Sequence, residues 1–143
     1  MTMTGLDVFD TTVHKTNTWL KDLMAELGWQ DKHKTYLALR ATLHALRDRL
    51  TIEEVAQLGA QLPMLMRGFY YEGWRPSAKP HRERHREQFL AHIAAQFTEE
   101  PVNAEQVAHA VFMLLFARVS TGEIEDVEHV LPPEIRDLWP AMT

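Results

Sequence analysis

Residues 41–70 read ATLHALRDRLTIEEVAQLGAQLPMLMRGFY, and residues 110–139 read AVFMLLFARVSTGEIEDVEHVLPPEIRDLW. Laid over one another without a gap, the two stretches share Ala41/Ala110, Leu46/Leu115, Arg49/Arg118, Glu54/Glu123, Leu62/Leu131, Pro63/Pro132 and Arg67/Arg136. Residue character also agrees at Thr51/Ser120, Val55/Ile124, Leu58/Val127, Met66/Ile135 and Phe69/Leu138. Shifting the register by one residue carries the match backward, pairing Trp19 and Leu20 with Phe89 and Leu90, Leu23 with Ile93, and Leu27 with Phe97. Self-similarity of this kind predicts a duplicated structural unit.

The helix punctuation recurs with it. Thr51 and Glu54, and again Ser120 and Glu123, have the spacing of a capping box. In that motif a hydroxyl accepts from a first-turn N–H and the Glu reaches back to the cap. In both copies Leu-Pro follows, which ends one helix and suits the first turn of the next. Asn103 and Gln106 form a third capping box ahead of the apolar run Val107–Ala117.

Periodicity supplies the remaining elements. Phe9, Val13, Leu20, Leu23 and Leu27 lie along one face of a first helix that Gly28 ends. Tyr36, Leu39, Leu43, Leu46 and Leu50 mark a second. A short helix is expected over about 52–61 and another after Pro63. Beyond the break at Gly73–Pro80 the order recurs at about 81–97, 104–118, 121–130 and 133–138. No segment alternates as a surface strand would. The expectation is an all-α protein of about eight helices, arranged as two tandem, pseudo-twofold-related four-helix repeats that share one core. Repeat one covers about 14–70, a joint about 71–83, and repeat two about 84–139. A unit of about 57 residues is marginal alone, so the whole of 1–143 is expected to form a single domain.

Composition sets the class. The chain has 143 residues, of which 45% are hydrophobic and 24% charged, as in a water-soluble globular protein. It contains no cysteine, which excludes disulfides, thiolate metal sites and thiol nucleophiles and fits a reducing, cytoplasmic setting. The apolar run Val107–Ala117 is too short to span a bilayer, which takes about 20 residues. The start, MTMTGLDVFD, lacks the basic and apolar regions of a secretory signal. A formal charge of −5 opposes nonspecific nucleic-acid binding by the surface as a whole.

The runs YLALRATLHALRDRL, LPMLMRGFYYEGWRP and GEIEDVEHVLPPEIRDLWP together resemble the bacterial family catalogued as domain of unknown function 2267. The likeness extends from about Phe9 to Trp139. It implies an all-helical domain and brings no assigned activity, cofactor or catalytic residue.

Features present in both copies point to the shared fold. Arg67 and Arg136 are accordingly expected to make an ion pair or to cap carbonyls. Features present once are the candidates for function, and they cluster in the joint. Tyr70, Tyr71 and Trp74 combine large apolar area with polar tips, as interfaces do. Arg75, Lys79, Arg82, Arg84 and Arg86 against Glu83 give a local charge of +4. Cations beside aromatics can hold an anionic ligand or stack on bases. The alternative is that these aromatics only seal the joint and the cations form a solvated face. His81, His85 and His92 would fall on one side of a continuous helix, the first two at a zinc-compatible spacing, but neighbouring arginines oppose a divalent cation. His44 and His109 lie inside apolar helices and are expected to be satisfied core residues. The acids of EIEDVE (Glu123–Glu128) read as a solvated face beginning at a cap. Neither serine, Ser77 or Ser120, stands on a nucleophile elbow.

These observations favour a noncatalytic helical module binding a macromolecular partner or itself through Tyr70–Arg86. Nucleic-acid or anionic-ligand binding by residues 75–86, and an enzyme using the His81/His85/His92 stripe, are the alternatives. No cofactor and no membrane partner is expected.

Overall fold

The computed structural model describes residues 3–77 and 83–141, and among these every regular element is helical. In chain order they are α1 (Asp7–Leu27), α2 (Lys32–Arg47), α3 (Ile52–Ala60), α4 (Met64–Tyr71), α5 (Arg86–Ala94), α6 (Ala104–Arg118), α7 (Thr121–His129) and α8 (Pro133–Arg136). None of them is long and apolar enough to cross a membrane.

The punctuation acts as its chemistry dictates. Gly28 ends α1 in the left-handed conformation (φ 71°), where a side chain would be strained. Thr51 Oγ1 accepts from Glu54 N–H at 3.2 Å, Ser120 Oγ from Glu123 N–H at 3.3 Å, and Asn103 Oδ1 from Gln106 N–H at 3.1 Å. The return half of the Ser120 box does not form, because Ser120 N–H donates to Gln61 Oε1 at 3.3 Å. Asp31 caps α2 by accepting from Lys34 N–H at 3.1 Å.

Where each Leu-Pro breaks the ladder, the last carbonyls of the preceding helix need donors. Arg67 supplies them in the first half, with Nε to Gly59 O at 2.9 Å and Nη2 to Leu62 O at 3.1 Å. Arg136 does the same in the second half, with Nε to Glu128 O at 3.0 Å and Nη2 to Leu131 O at 2.9 Å. Of the two expectations for these arginines, the carbonyl cap is the one found.

The centre is built by α2 and α6, which pack on each other and each on α1 and α5. Leu39, Leu43 and Leu46 of α2 and Val111, Phe112 and Leu115 of α6 have no exposed surface. Each such side chain contributes about 1.5–3 kcal/mol of burial. Around this pair, α4 packs on α1, α2 and α3, while α7 packs on α3 and α6. Buried apolar residues from Trp19 to Trp139 form one connected cluster.

Two sequence expectations are corrected. The helix expected over about 81–97 runs only from Arg86 to Ala94, because His85 is extended (φ −95°, ψ 141°). Phe9, placed on the buried stripe of α1, is 49% exposed, since no other described helix covers that end.

Candidate functional site

The joint begins at the end of α4, and α2 fixes it. Arg47 Nη1 donates to the carbonyls of Tyr70 and Glu72, both at 2.8 Å, while its Nε binds Asp48 at 2.9 Å. His44 Nε2 bonds the Phe69 carbonyl at 2.7 Å. In the second half, His109 Nδ1 bonds the matching carbonyl, Leu138 O, at 3.0 Å. Both histidines are satisfied by backbone, as their positions implied.

The aromatic candidates separate. Tyr70 is fully buried and its hydroxyl donates to Val55 O at 2.8 Å, so it is a core residue and offers no binding surface. Burial raises its phenol pKa above the ordinary value. Tyr71 is half-buried, edge-on to Tyr70 (4.9 Å between centroids) and followed by Trp74 (5.5 Å). Its hydroxyl lies against Gly59, where a Cβ would approach it to 2.5 Å. The absence of a side chain at Gly59 is what seats Tyr71. Trp74 is half-buried and Arg75 exposed.

The basic candidates separate too. Lys79, His81 and Arg82 lie outside the described residues. Arg84 is exposed. Arg86 is engaged by acids: its Nη1 meets Glu105 Oε1 at 2.7 Å, and its backbone N–H donates to Glu134 Oε2 at 2.8 Å. That N–H, together with His85 Nδ1 at 3.4 Å, holds the Glu134 carboxyl below its ordinary pKa. Glu83 accepts from buried Arg49 Nη2 at 2.7 Å and contacts His92 Nε2 at 3.0 Å.

Of the histidine stripe, the two described members, His85 and His92, face different acids. His85 precedes the helix and faces Glu134, with Glu87 close by, while His92 faces Glu83. Both histidines are exposed side chains in contact with carboxylates.

Two features went unrecognised in the sequence. The first is a cleft of about 720 Å³ between α1, α2 and α4, with Leu20, Tyr36, Leu65 and Phe69 among its walls and Lys32, His33 and Glu72 also lining it. The front half of α1 flanks it, held by Leu65 N–H donating to Thr12 Oγ1 at 2.8 Å. The second lies between α3 and α7. Glu123, read as part of a solvated face, is 7% exposed, while Glu125 and Asp126 do face solvent. Carboxylate oxygens of Glu54, Glu123 and Asp126 lie within 4.8 Å of one another. The identity of Glu54 and Glu123 in the self-alignment was the available signal. Capping chemistry had already claimed both residues.

No curated protein matches the sequence. A family profile described as an uncharacterized conserved protein, DUF2267, matches residues 16–138. That span covers most of the 143 residues, and the chain belongs to the DUF2267 family.

Proposed function

We propose that this chain is a noncatalytic helical module that associates with a second copy of itself through the α1–α4 face. The carrying observation is self-complementarity. The chain holds an apolar cleft and, beside it, an unpartnered apolar helix stripe able to fill such a cleft in another copy. Among the described residues, the exposed large hydrophobics are Met3, Leu6, Val8 and Phe9 at or just before the start of α1, Met64 and Leu65 at the start of α4, and Ile52 and Val130. An isologous pairing would bring each stripe to the other copy's cleft, which is helix-in-groove recognition used twice. This side differs from the Tyr70–Arg86 surface because Tyr70 is buried and Arg86 is engaged by acids.

The same reading includes the architecture: two tandem four-helix repeats forming one domain about a pseudo-twofold axis. Supporting it are the carbonyl caps of Arg67 and Arg136, which are 69 positions apart on carbonyls also 69 positions apart. The contacts of α2 with α6 and of α3 with α7 join equivalent elements. In α1, residues before about 17 have no counterpart in the shorter α5, so the proposed docking stripe is a single-copy feature. A cytoplasmic setting fits the absence of cysteine.

Light scattering across a concentration series tests the reading. The unmodified chain should form dimers in the micromolar range, and Leu65→Asp should shift it to monomer while the helical circular dichroism is kept. A chain that stays monomeric at every concentration, or a Leu65→Asp variant that dimerises as before, sinks the proposal. A second reading keeps Arg75 and Arg84, exposed on either side of the joint, as an anion-binding edge. It requires a nucleic-acid affinity that falls steeply with salt.

A further inference from the structure

We propose that Glu54 and Glu123 share one proton across the α3–α7 contact, and that this proton is a latch whose loss in alkaline solution loosens the two helices. The two residues are equivalent in the self-alignment, each at the third position of its helix behind a capping hydroxyl. A residue at an axis relating two copies meets its own counterpart, so duplication set identical acids face to face. Around them the contact is apolar, with Val55, Leu58, Ile124 and Val127 fully buried. Glu54 Oε2 and Glu123 Oε2 are both buried with no donor. Two bare carboxylates cannot stay in such a place, because each lacks a donor and repels the other. One proton removes both faults by turning one carboxylate into the donor for its twin.

Among the described residues, no cation pairs with either carboxylate. On α7, Asp126 adds a further negative charge, and on α3, Glu53 does so. From α4, the Tyr70 hydroxyl is engaged with Val55 O, Tyr71 packs on Gly59, and the Arg67 guanidinium is held by the carbonyls of Gly59 and Leu62. From α6, Arg118 is paired with Asp22, His109 with Leu138 O, and Glu105 with Arg86. Burial first, and then Glu54, push the Glu123 carboxyl from 4.5 up to about 7, and burial also raises Glu54. The proton is accordingly held in acid and lost as the solution turns alkaline.

The test compares the full-length chain with Glu123→Gln, whose amide supplies the missing donor at every pH. Urea unfolding is measured near pH 5 and near pH 8. The variant's folding constant should match the parent's within about threefold near pH 5 and exceed it by about 10- to 100-fold near pH 8. A gap of the same size at both pH values overturns the proposal. So does recovery of the parent, but not the variant, by millimolar calcium or manganese chloride near pH 8, since the acids would then hold a cation in place of the proton. Carbon-13 titration of the parent's Glu54 and Glu123 carboxyls needs no variant. One transition near neutrality supports the latch, and two ordinary glutamate titrations overturn it.

Discussion

Replacing Arg67 and Arg136 separately by Ala asks whether carbonyl capping holds each half's last helices in place. Each guanidinium makes two charge-assisted bonds to carbonyls at the end of the preceding helix. Such bonds contribute about 1.5–3 kcal/mol apiece when water is excluded and far less when water replaces the donor. Arg67 is half-buried and Arg136 exposed. The structure therefore predicts a loss of about 2–3 kcal/mol for Arg67→Ala and about 1 kcal/mol for Arg136→Ala. For a chain of this length 1 kcal/mol corresponds to roughly 3 °C, so the melting points should fall by about 6–9 °C and about 3 °C. Arg67→Lys should recover less than half of the loss, because a single ammonium cannot reproduce the fork. The assay is thermal melting by circular dichroism, supported by urea titration at constant slope. If Arg67→Ala melts within about 1 °C of the parent, the capping account is wrong, since water would be serving those carbonyls equally well.

Gly59→Ala should cost about 1–3 kcal/mol by evicting the Tyr71 ring, and Tyr71→Ala in the same chain should remove most of that penalty; additive losses would contradict the contact. Tyr70→Phe deletes the side-chain bond to Val55 O, a carbonyl that keeps its helical donor within α3, for an expected loss of about 1 kcal/mol in urea unfolding. Burial lowers the His44 pKa below 6.5, against the raising effect of the Phe69 carbonyl. Its stability contribution is therefore full above pH 6.5 and lost as pH falls toward the folded-state value, because the unfolded chain binds the proton more readily. Proton NMR should show the His44 ring titrating below its unfolded value, and a normal or raised titration would refute its burial as a neutral donor. This trend opposes that of Glu123, so the two are separable only by comparing variants.

Helices were legible because their signals are local. Capping side chains, Leu-Pro breaks and three-to-four spacing act within one or two turns, and α3, α6 and α7 begin where Thr51, Asn103 and Ser120 stand. What could not be read is anything set by a distant partner. Residues 83–85 have no helix breaker, yet Glu83 is drawn to Arg49 and His92, and α5 starts late. Phe9 continues the stripe of α1, but periodicity cannot say whether another helix lies opposite. Tyr70 and Tyr71 differ by one position and so point about 100° apart on a helix. Which of them is inside depends on where α3 lies, and the small residue that seats Tyr71 is 12 positions away. The acid pair was hidden for a similar reason. A Glu three residues after a capping hydroxyl has a sufficient local explanation, and only the meeting of α3 with α7 gives it another.

The charge of Arg86 resolves along the same line. In an acidic chain a run of cations looks like a ligand site, because its own neighbours do not neutralise it. Here the neutralising acids come from other elements: Glu105 of α6 and Glu134 of α8 meet Arg86, and Glu134 also meets His85. In return the joint contributes one acid, Glu83, to a buried cation of α2, and Arg49 spreads its guanidinium over Phe89 of α5 at 4.9 Å. Burial draws the Arg49 guanidinium pKa down, and Glu83 opposes that shift. Removing Glu83 would leave the Arg49 charge buried without its acid, a heavier penalty than losing an exposed pair. These contacts run from residues 83–92 to α2, α6 and α8, and they fasten α5 to both halves of the molecule. The opposite charges needed to bind the joint to a partner are, for Arg86 at least, already supplied from within the chain.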